Sequence, residues 1–174
     1  IDVNGPSSAG VAGGNGAPGQ AAEFENAIGG TVTVNSPGAF GFRVGSQTRT
    51  TNAGHIEVLG DESIGIETQN TSGVVHSGTL SVAGSEAAGV VGRNGVAVEG
   101  DGAIDVSGTG ATGITVGRGS QIIYEGNLTL SGVDAQGLVG GTNAVVENAL
   151  DGEITIEATA SGAVGLVGGS ASES

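Results

Sequence analysis

This chain of 174 residues predicts an all-β solenoid: a right-handed, three-sided parallel β-helix of about seven coils with a repeat of 24 residues. Three observations predict it. Short apolar–x–apolar triplets recur at IDV 1–3, VTV 32–34, IEV 56–58, LSV 80–82, IDV 104–106, LTL 128–130 and ITI 154–156, in steps of 31, 24, 24, 24, 24 and 26 residues. Nine residues after each of the first six triplet starts comes a glycine, at Gly10, Gly41, Gly65, Gly89, Gly113 and Gly137, and Gly165 follows a two-residue insertion. The composition is that of a slim aliphatic core, with 37 Gly, no Trp, Met or Cys, and only Phe24, Phe40, Phe42 and Tyr124 aromatic.

The triplets form the first strand of each coil, because apolar residues at a period of two put one face inward and the other outward. A second strand follows the periodic glycine and carries an apolar residue next to it, at Val11, Phe42, Ile66, Val90, Ile114, Leu138 and Leu166. The third strand holds Val74, Val98 and Ile122 in the middle coils, and the related segments FENAI (24–28) and VENAL (146–150) occupy the same place elsewhere. Another glycine stands two residues before each later triplet, at Gly30, Gly54, Gly78, Gly102, Gly126 and Gly152. Glycine is expected at the turns, where it reaches positive φ without steric cost. No stretch sustains a 3.6-residue apolar period with caps, so no helix is expected.

Three short strands cannot bury their apolar faces alone, but stacked repeats can. With one repeat per coil, equivalent residues lie ~4.8 Å apart and seven coils make a rod about 34 Å long. The right hand follows the general preference of parallel crossovers; a left-handed coil is the alternative, although a strict six-residue period is absent. The middle residues of the triplets are Asp2, Thr33, Glu57, Ser81, Asp105, Thr129 and Thr155, with acids alternating with hydroxyls over the first six. Alternation keeps like charges from facing each other on neighbouring strands.

Coils such as IDVSGTGATGI (104–114), LSVAGSEAAGV (80–90) and LTLSGVDAQGL (128–138) resemble the passenger domains of bacterial autotransporter adhesins. The resemblance covers nearly the whole chain. It implies a right-handed β-helix exported across the outer membrane by a separate barrel and displayed on the cell surface or released outside. It further implies a rod for adhesion or self-association in virulence, acidic and poor in cysteine. On that reading residues 1–174 are a single domain and a piece of a longer passenger. The expected partner is a host matrix protein, a glycan or another copy of the chain.

Charge narrows the function further. The formal net charge is −14, from 18 acids against Arg43, Arg49, Arg93 and Arg118. Nucleic acid needs a basic footprint, so it is not an expected partner. No apolar run approaches the ~20 residues of a membrane span, so direct insertion of this segment is not expected either. With no cysteine there is neither a disulfide framework nor a thiolate site.

Residues 108–113, GTGATG, follow a strand and match a dinucleotide-binding fingerprint. That chemistry also needs a helix after the last glycine, and a β-like ITVGRGSQIIYEG follows instead. The same slot holds GPSSAG, SPGAFG, GDESIG, GSEAAG and GVDAQG in other coils, so it is a turn, with Ala87, Ala111 and Ala135 packing inside and Gly110 incidental.

The enzymatic alternative is a β-helical polysaccharide lyase or hydrolase acting on acidic glycans, which requires clustered acids with Arg or Lys. There is no Lys; Arg93 and Arg118 fall near the same height in adjacent coils, without a convergent acid–base set, so the chain is not expected to be an enzyme. His55 and His76 lie one coil apart in different columns, and Asp61–Glu62 and Glu99 with Asp101 form acidic turns. No cofactor is expected, and weak Ca2+ binding is the most these acids offer. Asn70 and Asn127 head sequons of a kind common in Ser/Thr-rich chains.

Irregular places are where a regular rod carries specificity. The first coil is seven residues longer than 24, with the excess placed around VAGGNGAPGQ (11–20), and two more extra residues are placed around GGTNA (140–144). Val75, Val91, Ile123 and Val139 point outward and make part of one side apolar. The candidate interaction residues are therefore Asn15, Pro18, Gln20, Val91, Val139, Arg93 and Arg118.

Overall fold

The computed structural model describes residues 1–17, 19–149, 152–157 and 160–168, which contain 20 strands and no helix. Every strand pairing is parallel, and each strand pairs with its equivalent one coil away. Sheet 1 contains Asp2–Val3, Thr31–Val34, His55–Val58, Thr79–Val82, Ala103–Val106, Asn127–Leu130 and Glu153–Ile156. Sheet 2 contains Ala9–Gly13, Phe40–Val44, Ile64–Thr68, Ala88–Gly92, Thr112–Val116, Gln136–Gly140 and Val164–Val167. Sheet 3 contains Ala22–Asn26, Thr48–Asn52, Gly73–His76, Ala97–Gly100, Gln121–Tyr124 and Val145–Asn148. The described residues thus form a three-sided parallel β-solenoid of six complete coils and two sides of a seventh. The first corner joins sheets 1 and 2, the second joins 2 and 3, and the third returns to sheet 1.

The triplets behave as their period dictates. Val32, Val34, Ile56, Val58, Leu80, Val82, Ile104, Val106, Leu128 and Leu130 are buried, and they meet Phe42, Ile66, Val90, Ile114 and Leu138 of sheet 2 and Val74, Val98 and Ile122 of sheet 3. Between them, Asp2, Thr33, Glu57, Ser81, Asp105, Thr129 and Thr155 form one outward column in direct register.

The periodic glycines work differently from the expectation. Gly41, Gly65, Gly89, Gly113 and Gly137 lie inside the strands of sheet 2, not at turns. A Cβ on Gly89 would come within 2.5 Å of both the Gly113 carbonyl of the next coil and Leu80 of sheet 1, and one on Gly65 within 2.7 Å of the Gly89 carbonyl. The column is glycine because sheets 1 and 2 converge there and leave no room for a side chain. Positive φ belongs to other columns, one at the first corner, occupied by Ser7, Gly38, Glu62, Glu86, Gly110, Asp134 and Gly162, and one at the second, occupied by Gln47, Thr71, Gly95, Gly119 and Asn143. Gly110, with φ 65°, is therefore a turn position and not incidental.

Strand register also relocates the insertions. Gly13 pairs with Val44 and Ala22 with Thr48, which puts five of the seven extra residues of the first coil at the second corner. Asn26 pairs with Asn52 and Thr31 with His55, which puts the other two at the third. Residues 140–144 have the ordinary spacing, since Gly140 pairs with Val116 and Val145 with Gln121. The later two-residue excess lies between Asn148 and Glu153, at the third corner again.

Candidate functional site

Most polar groups inside the rod are bound to the corners. At the third corner, Asn26, Asn52, His76, Gly100, Tyr124 and Asn148 occupy one column. Asn26 Nδ2 donates to Asn52 Oδ1 at 2.8 Å and to the His55 carbonyl at 3.1 Å. Asn52 Nδ2 lies 3.0 Å from His76 Nδ1 and 3.3 Å from the Thr79 carbonyl. His76 Nε2 lies 3.2 Å from the Ala103 carbonyl, which can only accept, so the proton sits on Nε2 and Nδ1 accepts from Asn52. Burial lowers the pKa of His76 and keeps it neutral, against a smaller opposing pull from its hydrogen bond to Ala103 and from Asp101. Tyr124 donates its hydroxyl to the Gly102 carbonyl at 2.8 Å, and burial raises its pKa. Its ring stacks at 6.2 Å on that of His76 across Gly100. A Cβ at residue 100 would lie 1.9 Å from the His76 carbonyl oxygen.

The second corner has its own ladder. Asn15 Oδ1 accepts from the Ser46 amide at 2.8 Å, Asn70 Oδ1 from Asn94 at 3.2 Å, and Asn94 Oδ1 from Arg118 at 3.0 Å. Asn15, expected as a contact residue, thus uses its side chain to tie the insertion to the next coil. Gln20 closes an isolated antiparallel bridge with Ala17. It borders a cleft of ≈ 310 Å³ also lined by Gln47, Arg49 and Thr71. Pro18 lies outside the described residues.

The other candidates separate. Val91 and Val139 share an outward column of sheet 2 with Thr115 between them. Val75 and Ile123 belong to sheet 3, where they flank Glu99, so the four outward apolar residues lie on two faces and not on one side. Arg118 stacks on Asn94, one position out of line with Arg93. Arg93 Nη2 donates to Glu67 Oε1 at 2.7 Å. The other Glu67 oxygen lies 3.1 Å from Arg43 Nε, in ion-pair contact without a hydrogen bond. Arg43 in turn lies over the Phe40 ring, its Cζ 4.6 Å from the centroid. The two arginines bury Glu67 to 2% exposure on the outside of a sheet. The sequence reading missed Glu67, although its spacing of 24 from Arg43 places the two side by side.

These contacts sit within an uneven charge layout. Sheet 1 carries Asp2, Glu57, Asp105 and Glu153, sheet 3 carries Glu23, Glu25, Glu99 and Glu147, and the first and third corners carry further acids, among them Asp61, Glu62, Glu86, Asp101, Glu125 and Asp134. Among the described residues, sheet 2 has one acid, Glu67, and the second corner has none. Three of the four arginines, Arg43, Arg93 and Arg118, stand on this sheet and corner. Among the described residues no cluster of three or more His, Asp or Glu is arranged to hold a metal ion. No protein-family model, curated protein or solved structure matches the chain.

Proposed function

We propose that this chain is a segment of a bacterial surface rod whose work is adhesion or self-association, as the resemblance to autotransporter passengers implies, and that it performs no catalysis. The observation that carries the reading is the coil-on-coil register. Outward side chains stand in straight columns at one fixed pitch, while His76, Asn52 and Tyr124 are committed to corner carbonyls and Arg93 to Glu67. Such a rod displays many small contacts in parallel, so weak binding per coil adds up along its length. The rod would stand outside the cell and bind matrix protein, glycan or its own copies.

The test is a solid-phase binding screen of the purified chain against matrix proteins and a glycan panel, with a light-scattering concentration series alongside. Saturable binding to a panel member, or mass rising with concentration, is expected. A monomer that binds nothing refutes the reading for this segment.

A further inference from the structure

We propose that the outer face of sheet 2 is a docking surface for a second copy of this chain, packed face to face through the same sheet. The inference rests on the self-association arm of the function proposed above and names the surface and the partner.

Three features of the face carry it. First, its outward columns are apolar or neutral along most of their length: Ala88, Val91, Thr112, Thr115 and Val139 follow one another with no charge among them. Its one acid, Glu67, is covered by Arg43 and Arg93. Second, two copies of a −14 chain repel each other through sheet 1, sheet 3 and the acidic corners. Face-to-face contact through sheet 2 places those acids on the far sides of the pair. A basic partner would settle on the acidic faces instead. A polyanion would find on this side only Arg43 and Arg93, which share Glu67, and Arg118 at the second corner. Third, a copy of the chain has the same strand spacing, so its rows can interdigitate with these at the ~10 Å separation of packed sheets.

The available area agrees with a weak, reversible dimer. Seven strands at ~4.8 Å spacing and five residues in width give a strip of roughly 500 Å² per copy. Doubled, that is about 1,000 Å², at the lower end of specific interfaces.

The chain contains no cysteine, so single cysteines report the contact cleanly. V91C, T115C and V139C place a thiol on sheet 2; S81C and E99C place one on sheets 1 and 3 of the same coil as Val91. Under mild oxidation at least one of the first three is expected to form a covalent dimer, and neither of the last two. In sedimentation the unmodified chain is expected to dimerise more strongly between ~50 mM and ~500 mM salt, because screening relieves repulsion between the outer faces. T115D is expected to weaken association by at least about tenfold, while S81D, with the same added charge, leaves it unchanged.

Equal linking from S81C or E99C, or association that weakens with salt, overturns the proposal; the latter would mark arginine-to-acid docking. A chain that is monomeric throughout but binds a panel ligand overturns this inference and leaves the adhesion reading standing. A chain that is monomeric and binds nothing overturns both.

Discussion

Acidification is expected to destabilise the rod through His76, by an amount that H76N removes. In the folded protein His76 Nδ1 accepts from Asn52, whose amide oxygen accepts from Asn26. A proton on Nδ1 would set two donors against each other, and turning the Asn52 amide to relieve them would break its bond from Asn26. Burial lowers the folded pKa of His76 from the ordinary 6.5. As pH falls below 6.5 the unfolded chain takes up a proton that the folded chain refuses. Stability is therefore full above the unfolded pKa and falls with pH down to the folded value. The limiting slope is about 1.4 kcal/mol per pH unit, or at most about 2 kcal/mol between pH 6.5 and pH 5. For a chain of this size that corresponds to roughly 4–8 °C in Tm.

H76N copies the residue found one and two coils earlier in the column. It gives up the ring contact with Tyr124, at about 1–2 kcal/mol near pH 7. Thermal melts followed by circular dichroism at pH 7, 6 and 5 separate the two effects, because the carboxylates titrate alike in both proteins. The Tm gap between wild type and H76N should shrink as pH falls. Parallel Tm curves would refute the reasoning.

The remaining predictions concern the glycine columns and the Glu67 clamp. G89A should destabilise by about 1–3 kcal/mol in urea titration, because its Cβ has nowhere to go between Leu80 and the Gly113 carbonyl. G110A should cost about 1 kcal/mol at its left-handed φ, whereas E86G, relieving a φ of 53° in the same column, should gain up to about 1 kcal/mol. R93A should cost about 1–2 kcal/mol, a figure discounted because both arginines are half exposed, and a double-mutant cycle with E67Q should show positive coupling.

The strands were legible in the sequence because two periods report two different things. The period of two in ITI or LSV says which side chains face inward, and the period of 24 says what stacks on what. Both fail at the corners, where alternation stops and side-chain direction depends on the local turn. The inward column through Asn52, His76 and Tyr124 was visible as a residue two places before the corner glycine in the regular coils, and four before it at Asn26 and Asn148, yet nothing in its mixed chemistry announces an interior role. The periodic glycines were located correctly and given the wrong cause, since a close approach between two sheets and a left-handed turn both select glycine. Gly110 and Gly113 show the two causes three residues apart. The Arg43–Glu67 spacing was readable too, but the third member, Arg93, is offset by two residues from that column and only the corner geometry brings it over the carboxylate.

The three corners also explain why, on the proposed function, recognition would fall to the faces. A chain that turns three times per coil leaves carbonyls pointing into the turns, and a buried carbonyl without a donor is costly. The first corner meets this by tightening: small residues such as Ala87 and Ala111 pack inside, and Ser63 Oγ donates to the Ser36 carbonyl at 2.7 Å. The third recruits amides, an imidazole and a phenol. Such groups would suit catalysis or metal binding, but Asn26, Asn52, His76 and Tyr124 are already spent on the neighbouring coil and cannot turn outward without orphaning a carbonyl. What remains free is the set of outward columns, and their pitch is set by the backbone. Selection can then act on one column with little consequence for the core, which is how a chain of −14 can keep one whole sheet almost clear of acids.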